Sequence, residues 1–568
     1  MPTVRSLLEE RLRAALDALA LDSSIAEVTP AADTRFGDYQ TNAAMVLAKR
    51  ERKNPRELGA AIAEKIDVSG IAEPPTLAGA GFLNFRLTNA FLDQAGAALL
   101  GDERCGLAPV AQPETIVIDF SSPNVAKPMH VGHIRSTILG DCLARVARFL
   151  GHHVVTDNHI GDWGTQFGKV IYGWKHLLDK AALERDPVPE LLRLYREVNA
   201  AEETDEALRA TVRQELVNLQ QGDAENRAIW ENVVALSWRE FEKIYALLDV
   251  SFDERLGESF YNDRLAPICE LLERTGIAQI SEGALCVFFP EIPELADKPC
   301  LVRKSDGGFL YATTDLATLA YRMERWNPDE IWYVTGAPQA LHFQQVFEVA
   351  RRMGMTVKGE HVAFGSILGP DRKIMKTRSG ENVQLGDVLR EAVERARAII
   401  AEKNPELPAA EAEAVSRDVG IGAVKYAELS QHRMTDYVFS WDKMLSFQGN
   451  TAPYLQNAYV RIRSIFRKAG EETSIGAISI TEPAERALAI KLMQFAETVP
   501  LVLADFRPNL LANYLYELAT TFHAFYEACP VLKAEGAIRD SRLALCDLAA
   551  RTLHTGLGLL GIHCPERM

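Results

Sequence analysis

In the first twenty residues Val4, Leu7, Leu8, Leu12, Leu16 and Leu19 recur mostly three or four positions apart, with Arg and Glu between them. That spacing predicts an amphipathic helix, and the interleaved charges argue against the continuous apolar stretch of a secretory leader. A strand-like run, GAGFLNFRL, leads into an apolar helix, AFLDQAGAALL, and the stretch GDERCGLAPVAQPET then reads as a linker. Residues 1–110 are therefore expected to form a small α+β domain.

After the linker the pattern changes. IVIDF, ending at Phe120, is a short buried strand, and HHVVTDN around Val154, EIWYVTG around Trp332 and HVAFGSIL around Phe364 are similar. Helical stretches separate them, which predicts βαβ units and an α/β, doubly wound, Rossmann-like parallel sheet over residues 111–384. An acidic helical segment, about 177–255, interrupts the alternation as an insertion. From 385 onward the chain is predicted wholly helical, with breaks near Pro405, Pro483 and Pro508: a stem at 385–445 and an all-α domain at 446–568.

Composition narrows the classes. Of 568 residues 47% are hydrophobic and 25% charged, the balance of a soluble globular protein. Eight scattered cysteines with no C-x-x-C pair predict no zinc and a reducing, cytoplasmic setting. No uninterrupted apolar run reaches the roughly 18 residues of a membrane span. A net charge of −16 argues against a general nucleic-acid coat. It leaves room for local basic surfaces such as Lys49, Arg50, Arg52, Lys53 and Arg56.

The most informative stretch is IVIDFSSPNVAKPMHVGHIRSTILGD. A strand ends, a polar loop follows, and His130-Val131-Gly132-His133 opens a helix at the edge where open parallel sheets bind ligands. Two imidazoles three apart predict donors on one helical face for charge developing on a phosphate, and Gly132 leaves space for a flat group such as a purine. For an isolated H-x-G-H, two exposed capping histidines are the better explanation. The context here says otherwise.

H-V-G-H resembles the "HIGH" signature of class I aminoacyl-tRNA synthetases, and S-S-P-N-V-A-K before it resembles the version in arginyl-tRNA synthetases. Gly161 to Gly168 (GDWGTQFG), Tyr311 to Asp315 (YATTD), Phe36 to Asn42 (FGDYQTN) and the ending Cys564 to Met568 (CPERM) are similar to further signatures of that family, in family order. The resemblance implies a class I catalytic core between a tRNA-binding N-terminal domain and a helical anticodon-binding domain. It implies an arginine–tRNA ligase activity: ATP converts L-arginine to arginyl-adenylate, and the arginyl group passes to the 3′-terminal adenosine of tRNA(Arg), with AMP and pyrophosphate released. Mg²⁺ would assist at the phosphates, with no protein metal site of its own. The family's usual form is a monomer, and its arginine activation waits for bound tRNA.

Site residues follow from the same matches. Lys373-Ile374-Met375-Lys376-Thr377-Arg378 takes the place of the mobile "KMSKS" loop, with Thr377 where the second lysine belongs and Lys127 fitting the lysine thought to compensate. The expected catalytic set is thus His130, His133, Lys127, Lys373, Lys376 and Arg378, with Gly132 and Met375 also at ATP. A guanidinium needs fixed carboxylates; Asp119, Ser122, Asn124, His133, Tyr311, Asp315 and Gln339 are the expected arginine pocket. Asn124 and His133 would face the α-amino and carboxylate groups.

For tRNA, Arg461, Arg463, Arg467 and Lys468 form a basic helical stretch with Tyr454 and Tyr459 nearby, the phosphate-plus-aromatic combination of RNA loop recognition. Tyr454, Arg461, Tyr526 and Met568 are the expected anticodon-side contacts, and Phe36, Gln40 and Asn42 the contacts at the tRNA elbow. The string Gly556-Leu557-Gly558-Leu559-Leu560-Gly561 satisfies G-x-G-x-x-G, but no strand precedes it, so close packing and the end of a helix are expected instead of a dinucleotide site. Two other functions compete. A small-molecule adenylyltransferase needs no long helical C-terminal domain, and a noncatalytic RNA-binding relative would be expected to lose the histidines or the basic loop.

Overall fold

Four short strands build one parallel sheet, in spatial order Lys358–His361, Glu330–Tyr333, Thr115–Asp119 and His153–Asp157. The first strand in sequence lies inside the sheet, so the chain reverses direction of travel between Thr115–Asp119 and Glu330–Tyr333. That switch point is where an open α/β sheet leaves a crevice. The computed structural model describes residues 2–31, 33–369, 371–373, 375, 383–470 and 475–568, in two compact units.

The unit holding the sheet spans 110–398 and 423–444. Helix Gly132–Leu150 connects the first two strands, and helices Tyr311–Trp326 and Ala340–Arg352 flank Glu330–Tyr333 in sequence. Val117, Ile331, Leu316, Leu319, Phe343 and Val346 are buried in one cluster, which is why IVID and EIWY read as buried strands. Gly140 matters here: a Cβ would lie 2.2 Å from the Phe120 ring, so glycine lets the first helix approach the strand end.

Three elements depart from the sequence prediction. The edge strand is Lys358–His361, overlapping HVAFGSIL only at His361; an edge tolerates polar residues, so KGEH gave no apolar signal. Phe364 makes only an isolated bridge to Gly336, and Ile367–Leu368 pairs with Tyr437–Val438, so the region beyond 385 is not wholly helical. A three-stranded antiparallel sheet, Gln279–Ser281, Ala284–Val287 and Cys300–Arg303, also went unread because its strands have only three or four residues. The acidic segment does form helices, Lys180–Arg185, Pro187–Thr204, Glu206–Gln220 and Ala224–Leu247.

The other unit comprises 1–109, 399–422 and 445–568. Its N-terminal part has a four-stranded antiparallel sheet and four helices, and its C-terminal part is helical. Asp38 and Tyr39 join the two: Arg486 pairs with Asp38, whose Oδ2 also accepts the Leu87 N–H at 2.7 Å, and the Tyr39 hydroxyl donates to Glu497 at 3.0 Å. Segment Pro483–Ala504 is long and apolar enough to span a membrane by length and composition. It breaks into helices Pro483–Met493 and Phe495–Ala504, half buried in this unit, with Lys491 paired to Glu517 at 2.8 Å. These are core helices. Gly556 sits where a Cβ would meet Leu515 at 2.5 Å, and Gly561 has φ +67° just past the helix end, as the packing explanation of that glycine string requires.

Candidate active site

The loop after the first strand is held under strain. Ser121, Ser122 and Ala126 take φ values of +71°, +45° and +62°, the left-handed region that non-glycine residues avoid. Buried hydrogen bonds enforce it: Ser121 N–H to Ser136 Oγ at 2.8 Å, Ser136 Oγ–H to the Val334 carbonyl at 2.6 Å, and Ala126 N–H to Ser237 Oγ at 3.0 Å. The G-D-W-G turn supports the same loop and one more. The Val125 N–H donates to the Gly161 carbonyl and the Gly161 N–H to the Pro123 carbonyl, both at 3.1 Å, across the Asn124–Gly161 bridge, while Asp162 accepts the Ser259 N–H at 2.8 Å and its hydroxyl at 2.7 Å. Asp162 thereby fixes the segment that carries Glu258.

His130 precedes the helix, which starts at Gly132, so the two imidazoles do not share a helical face. They meet through the turn instead, with ring centroids 4.1 Å apart. The His130 N–H donates to His133 Nδ1 at 3.0 Å and the Gly132 N–H to His130 Nδ1 at 3.1 Å. His133 Nδ1 also lies 3.3 Å from the His130 carbonyl; a ring whose Nδ1 accepts these backbone N–H groups presents Nε2–H as its donor. Burial lowers the pKa of both, that of His133 to about 3, so both stay neutral at physiological pH. A Cβ at Gly132 would lie 2.7 Å from His130 Cε1; the space predicted for a purine is taken by the His130 ring.

A cavity of about 680 Å³ brings together Asp119, Ser122, Asn124, His130, Gly132, His133, Tyr311, Asp315 and Gln339. The carboxylates have different fates. Asp119 Oδ2 receives Arg322 Nη2 at 2.7 Å, its Oδ1 accepts the Ser122 hydroxyl at 2.9 Å, and Arg322 also reaches Asp157 at 2.7 Å. The Arg322 side chain is wholly buried, so Asp119 grips a guanidinium belonging to the protein itself. Asp315 Oδ2 lies 2.5 Å from His342 Nε2. Glu258 lines the same cavity, its pKa pushed up to about 7 by burial, with Asp162 and Asp315 raising it further against the opposing pull of His159.

Sequence reasoning missed Glu258, Asp157, Arg322 and His342. Asp157 alone had a signal, since it ends the second strand as Asp119 ends the first. Lys127 is outside the cavity lining, its ammonium 5.0 Å from the centroid of the Tyr195 ring. Lys373 is exposed and Met375 half-buried, with the Met375 N–H bonded to the Ile367 carbonyl at 3.2 Å; Lys376 and Arg378 lie outside the described residues.

In the other unit Phe36 is 55% exposed, Asn42 is exposed and Gln40 half-buried, while their neighbours Asp38 and Tyr39 face inward. Tyr454 donates to or accepts from His523 at 2.9 Å, Arg461 is exposed, and half-buried Tyr526 stacks on Phe522. Arg463 and Arg467 hold the C-terminal tail through Glu566, at 3.0 Å and 2.9 Å, so half of the predicted basic stretch has an internal task. The Met568 carbonyl accepts from Asn404 at 3.4 Å.

Comparisons with known proteins match most of the length of the chain. A family model described as the catalytic domain of class I tRNA synthetases (R) covers residues 96–441, the arginyl tRNA synthetase N terminal domain covers 6–87, and the DALR anticodon binding domain covers 455–568. The chain belongs to the arginyl-tRNA synthetases. It is similar to arginine–tRNA ligases of Thermobifida fusca and Cellvibrio japonicus, 47% and 46% identical over 100% of both chains. Among solved structures, the arginyl-tRNA synthetase of Plasmodium falciparum matches at a TM-score of 0.85 with 29% identity over 100% of each chain. That of Thermus thermophilus matches at 0.84 with 28% identity over 99% of this chain and 100% of its own. In this arginyl-tRNA synthetase the H-V-G-H segment and the first turn of helix Tyr311–Trp326 line one cleft at the switch point of the sheet.

Proposed function

We propose that this chain attaches arginine to tRNA(Arg) in two steps at the Asp119–Asp315 cleft, acting as a cytoplasmic monomer. One observation carries the assignment of roles: carboxylates suited to a guanidinium and imidazole N–H donors suited to a phosphate line the same cavity. Asp315 and Glu258 grip the guanidino group, with Tyr311 and Gln339 beside it. Asn124, Ser122 and His133 face the α-amino and carboxylate end, and Asp119 braces Ser122 and Arg322.

In the first step an arginine carboxylate oxygen bonds to the α-phosphorus of ATP, the bond to the β-phosphate oxygen breaks, and pyrophosphate leaves. The Nε2–H groups of His130 and His133 donate to the phosphate oxygens as charge builds, with Lys127, Lys373, Lys376 and Arg378 closing on the triphosphate. In the second step a ribose hydroxyl of the terminal adenosine, the 2′-OH, bonds to the arginyl carbonyl carbon and AMP leaves. Positioning and electrostatics do the work, and no protein nucleophile is required.

Among the described residues no three His, Cys, Asp or Glu side chains gather as a metal site, and imidazole N–H donors offer a cation nothing. The residues present do not fit a resident ion, so Mg²⁺ enters only as the counter-ion of ATP, on phosphate oxygens. Phe36, Gln40 and Asn42 would meet the tRNA elbow, and Tyr454, Arg461, Tyr526 and Met568 the anticodon loop. Aminoacylation of total tRNA with each amino acid in turn tests the function: arginine alone should be charged, and charging of another amino acid, or of none, would overturn it.

A further inference from the structure

The segment Phe36 to Asn42 has two kinds of residue with different partners. Phe36 and Asn42 are exposed and Gln40 is half-buried, while Asp38, Tyr39 and Thr41 are buried. On one side the segment is laid on strand Phe82–Phe85. The Asp38 N–H donates to the Phe85 carbonyl at 2.8 Å, and Tyr39, Gln40 and Thr41 pair antiparallel with Phe85, Asn84 and Leu83. A Cβ at Gly37 would lie 2.9 Å from the Phe85 carbonyl oxygen, so glycine is what lets the segment lie this close.

The buried side chains reach into the C-terminal part of the same unit. The Asp38 carboxylate pairs with Arg486 of helix Pro483–Met493, and the Tyr39 hydroxyl donates to Glu497 Oε1 of helix Phe495–Ala504 at 3.0 Å. The same Glu497 oxygen accepts the Arg5 N–H at 2.9 Å, so the first helix of the chain shares the lock. The Asp38 and Arg486 side chains are 6% and 17% exposed.

From these helices the connection continues into helix Pro508–Ala528, which carries Tyr526. The Tyr514 hydroxyl donates to the Lys491 carbonyl and the Lys491 ammonium pairs with Glu517, both at 2.8 Å. His523 of the same helix meets the Tyr454 hydroxyl at 2.9 Å. A second tie stands apart: the Arg551 guanidinium donates to the Leu99, Leu100 and Asp102 carbonyls at 3.2, 3.3 and 3.2 Å, closing the end of helix Asn89–Leu100.

A buried ion pair contributes little net stability over well-packed apolar side chains, so stability alone does not account for Asp38 and Arg486. What a guanidinium supplies is direction, through planar, rigid donors. Direction matters for a ligand held at two places. Two contacts on one ligand reinforce each other only when both can be made at once, and a mismatched separation removes the gain. A folded tRNA presents its elbow and its anticodon loop at a set separation, and the protein must offer its contacts at a matching one.

We propose that Arg486 and Tyr39 are positioning residues for tRNA. Through Asp38 and Glu497 they fix the Phe36–Asn42 segment relative to the helices of Tyr454 and Tyr526, so that elbow and anticodon loop of one tRNA are met together. This rests on the proposed contacts of Phe36, Gln40 and Asn42 at the elbow.

The test titrates the full chain with an intact tRNA(Arg) transcript and with an isolated anticodon stem-loop. Arg486→Met removes the cation and Tyr39→Phe removes one hydroxyl; each is made alone and with Phe36→Ala. Each should bind intact tRNA about tenfold more weakly and the stem-loop within about twofold of the parent. In aminoacylation the tRNA KM should rise by the same factor, with kcat and the arginine KM within about twofold of the parent. In the Phe36→Ala background the further loss should be below about twofold, since both changes disable one contact. Unchanged tRNA affinity, equal losses on tRNA and stem-loop, or losses that multiply would overturn the proposal. So would failure of both variants to fold, which would make the network a brace for the fold alone. Parent-like tRNA affinity in Phe36→Ala itself is a different result, overturning the elbow reading and this role with it.

Discussion

Asp315 Oδ2 and His342 Nε2 lie 2.5 Å apart, so the carboxylate proposed to bind the substrate guanidinium is itself oriented by an imidazole on the next helix. Hydrogen bonds to charged groups are worth about 1.5–3 kcal/mol each. Asp315→Asn should therefore weaken arginine binding by roughly 10- to 100-fold. His342→Gln, which keeps a donor, should weaken it by only a few-fold. Calorimetric titration with arginine measures both, and parent-like affinity in Asp315→Asn would remove it from the pocket.

Glu258 gives the site a pH dependence with a definite sign. Its carboxyl is raised to about 7 in the ligand-free protein, and a bound guanidinium favours the ionised form. Arginine affinity should rise with pH up to about 7 and level off, with a proton released on binding below that point. In the free protein, the stability associated with protonated Glu258 is fully present below the ordinary carboxylate range and is lost as pH rises through about 7. Glu258→Gln should abolish the proton release, seen in buffers of different ionisation enthalpy, and raise Tm at pH 8.

His130→Ala should lower kcat by about 10²- to 10³-fold and leave the arginine KM within about threefold, the pattern of a donor to developing charge. Both imidazoles are already held neutral. Their loss should leave the acid limb of the pH–rate profile in place; a vanished limb would assign it to the histidines instead of Glu258.

Activation should wait for tRNA, as the family resemblance implies. ATP–pyrophosphate exchange is expected near background with arginine and ATP alone and to appear when tRNA is added. Full exchange without tRNA would refute this.

Arg322→Met removes the one guanidinium shared by Asp119 and Asp157. Two buried carboxylates then lose their partner, a change that typically destabilises by about 3–5 kcal/mol. Chemical denaturation should show that loss, and Asp119→Asn with Asp157→Asn in the same chain should recover part of it. An unchanged denaturation midpoint in Arg322→Met would refute the brace.

The legible parts of the site were those where adjacent residues act together. H-V-G-H, G-D-W-G-T-Q-F-G and Y-A-T-T-D are contiguous, so the strand end and the loop after it could be placed by inspection, while the helix starts at Gly132 and not at His130. Glu258 and His342 could not be found that way. Glu258 sits in a single 3-10 turn held by Asp162, and the apolar spacing of helix Ala340–Arg352 marks its buried face (Phe343, Val346, Val349) and says nothing of which site His342 meets. Asp119 shows the converse: its position at a strand end was readable, but its partner Arg322 is 203 residues away in sequence.

By itself the sequence determined the alternation of helices with the buried strands IVID and EIWY, and the strand-to-helix loop that carries H-V-G-H, because hydrophobic period and turn chemistry are local properties of the chain. Tertiary structure alone decided which carboxylates face the cleft, which backbone groups the imidazoles meet, and which cations are taken by Glu566 and Asp119. Those outcomes depend on burial and on partners far apart in sequence, and neither the dielectric around a charge nor its nearest donor is written in its neighbours.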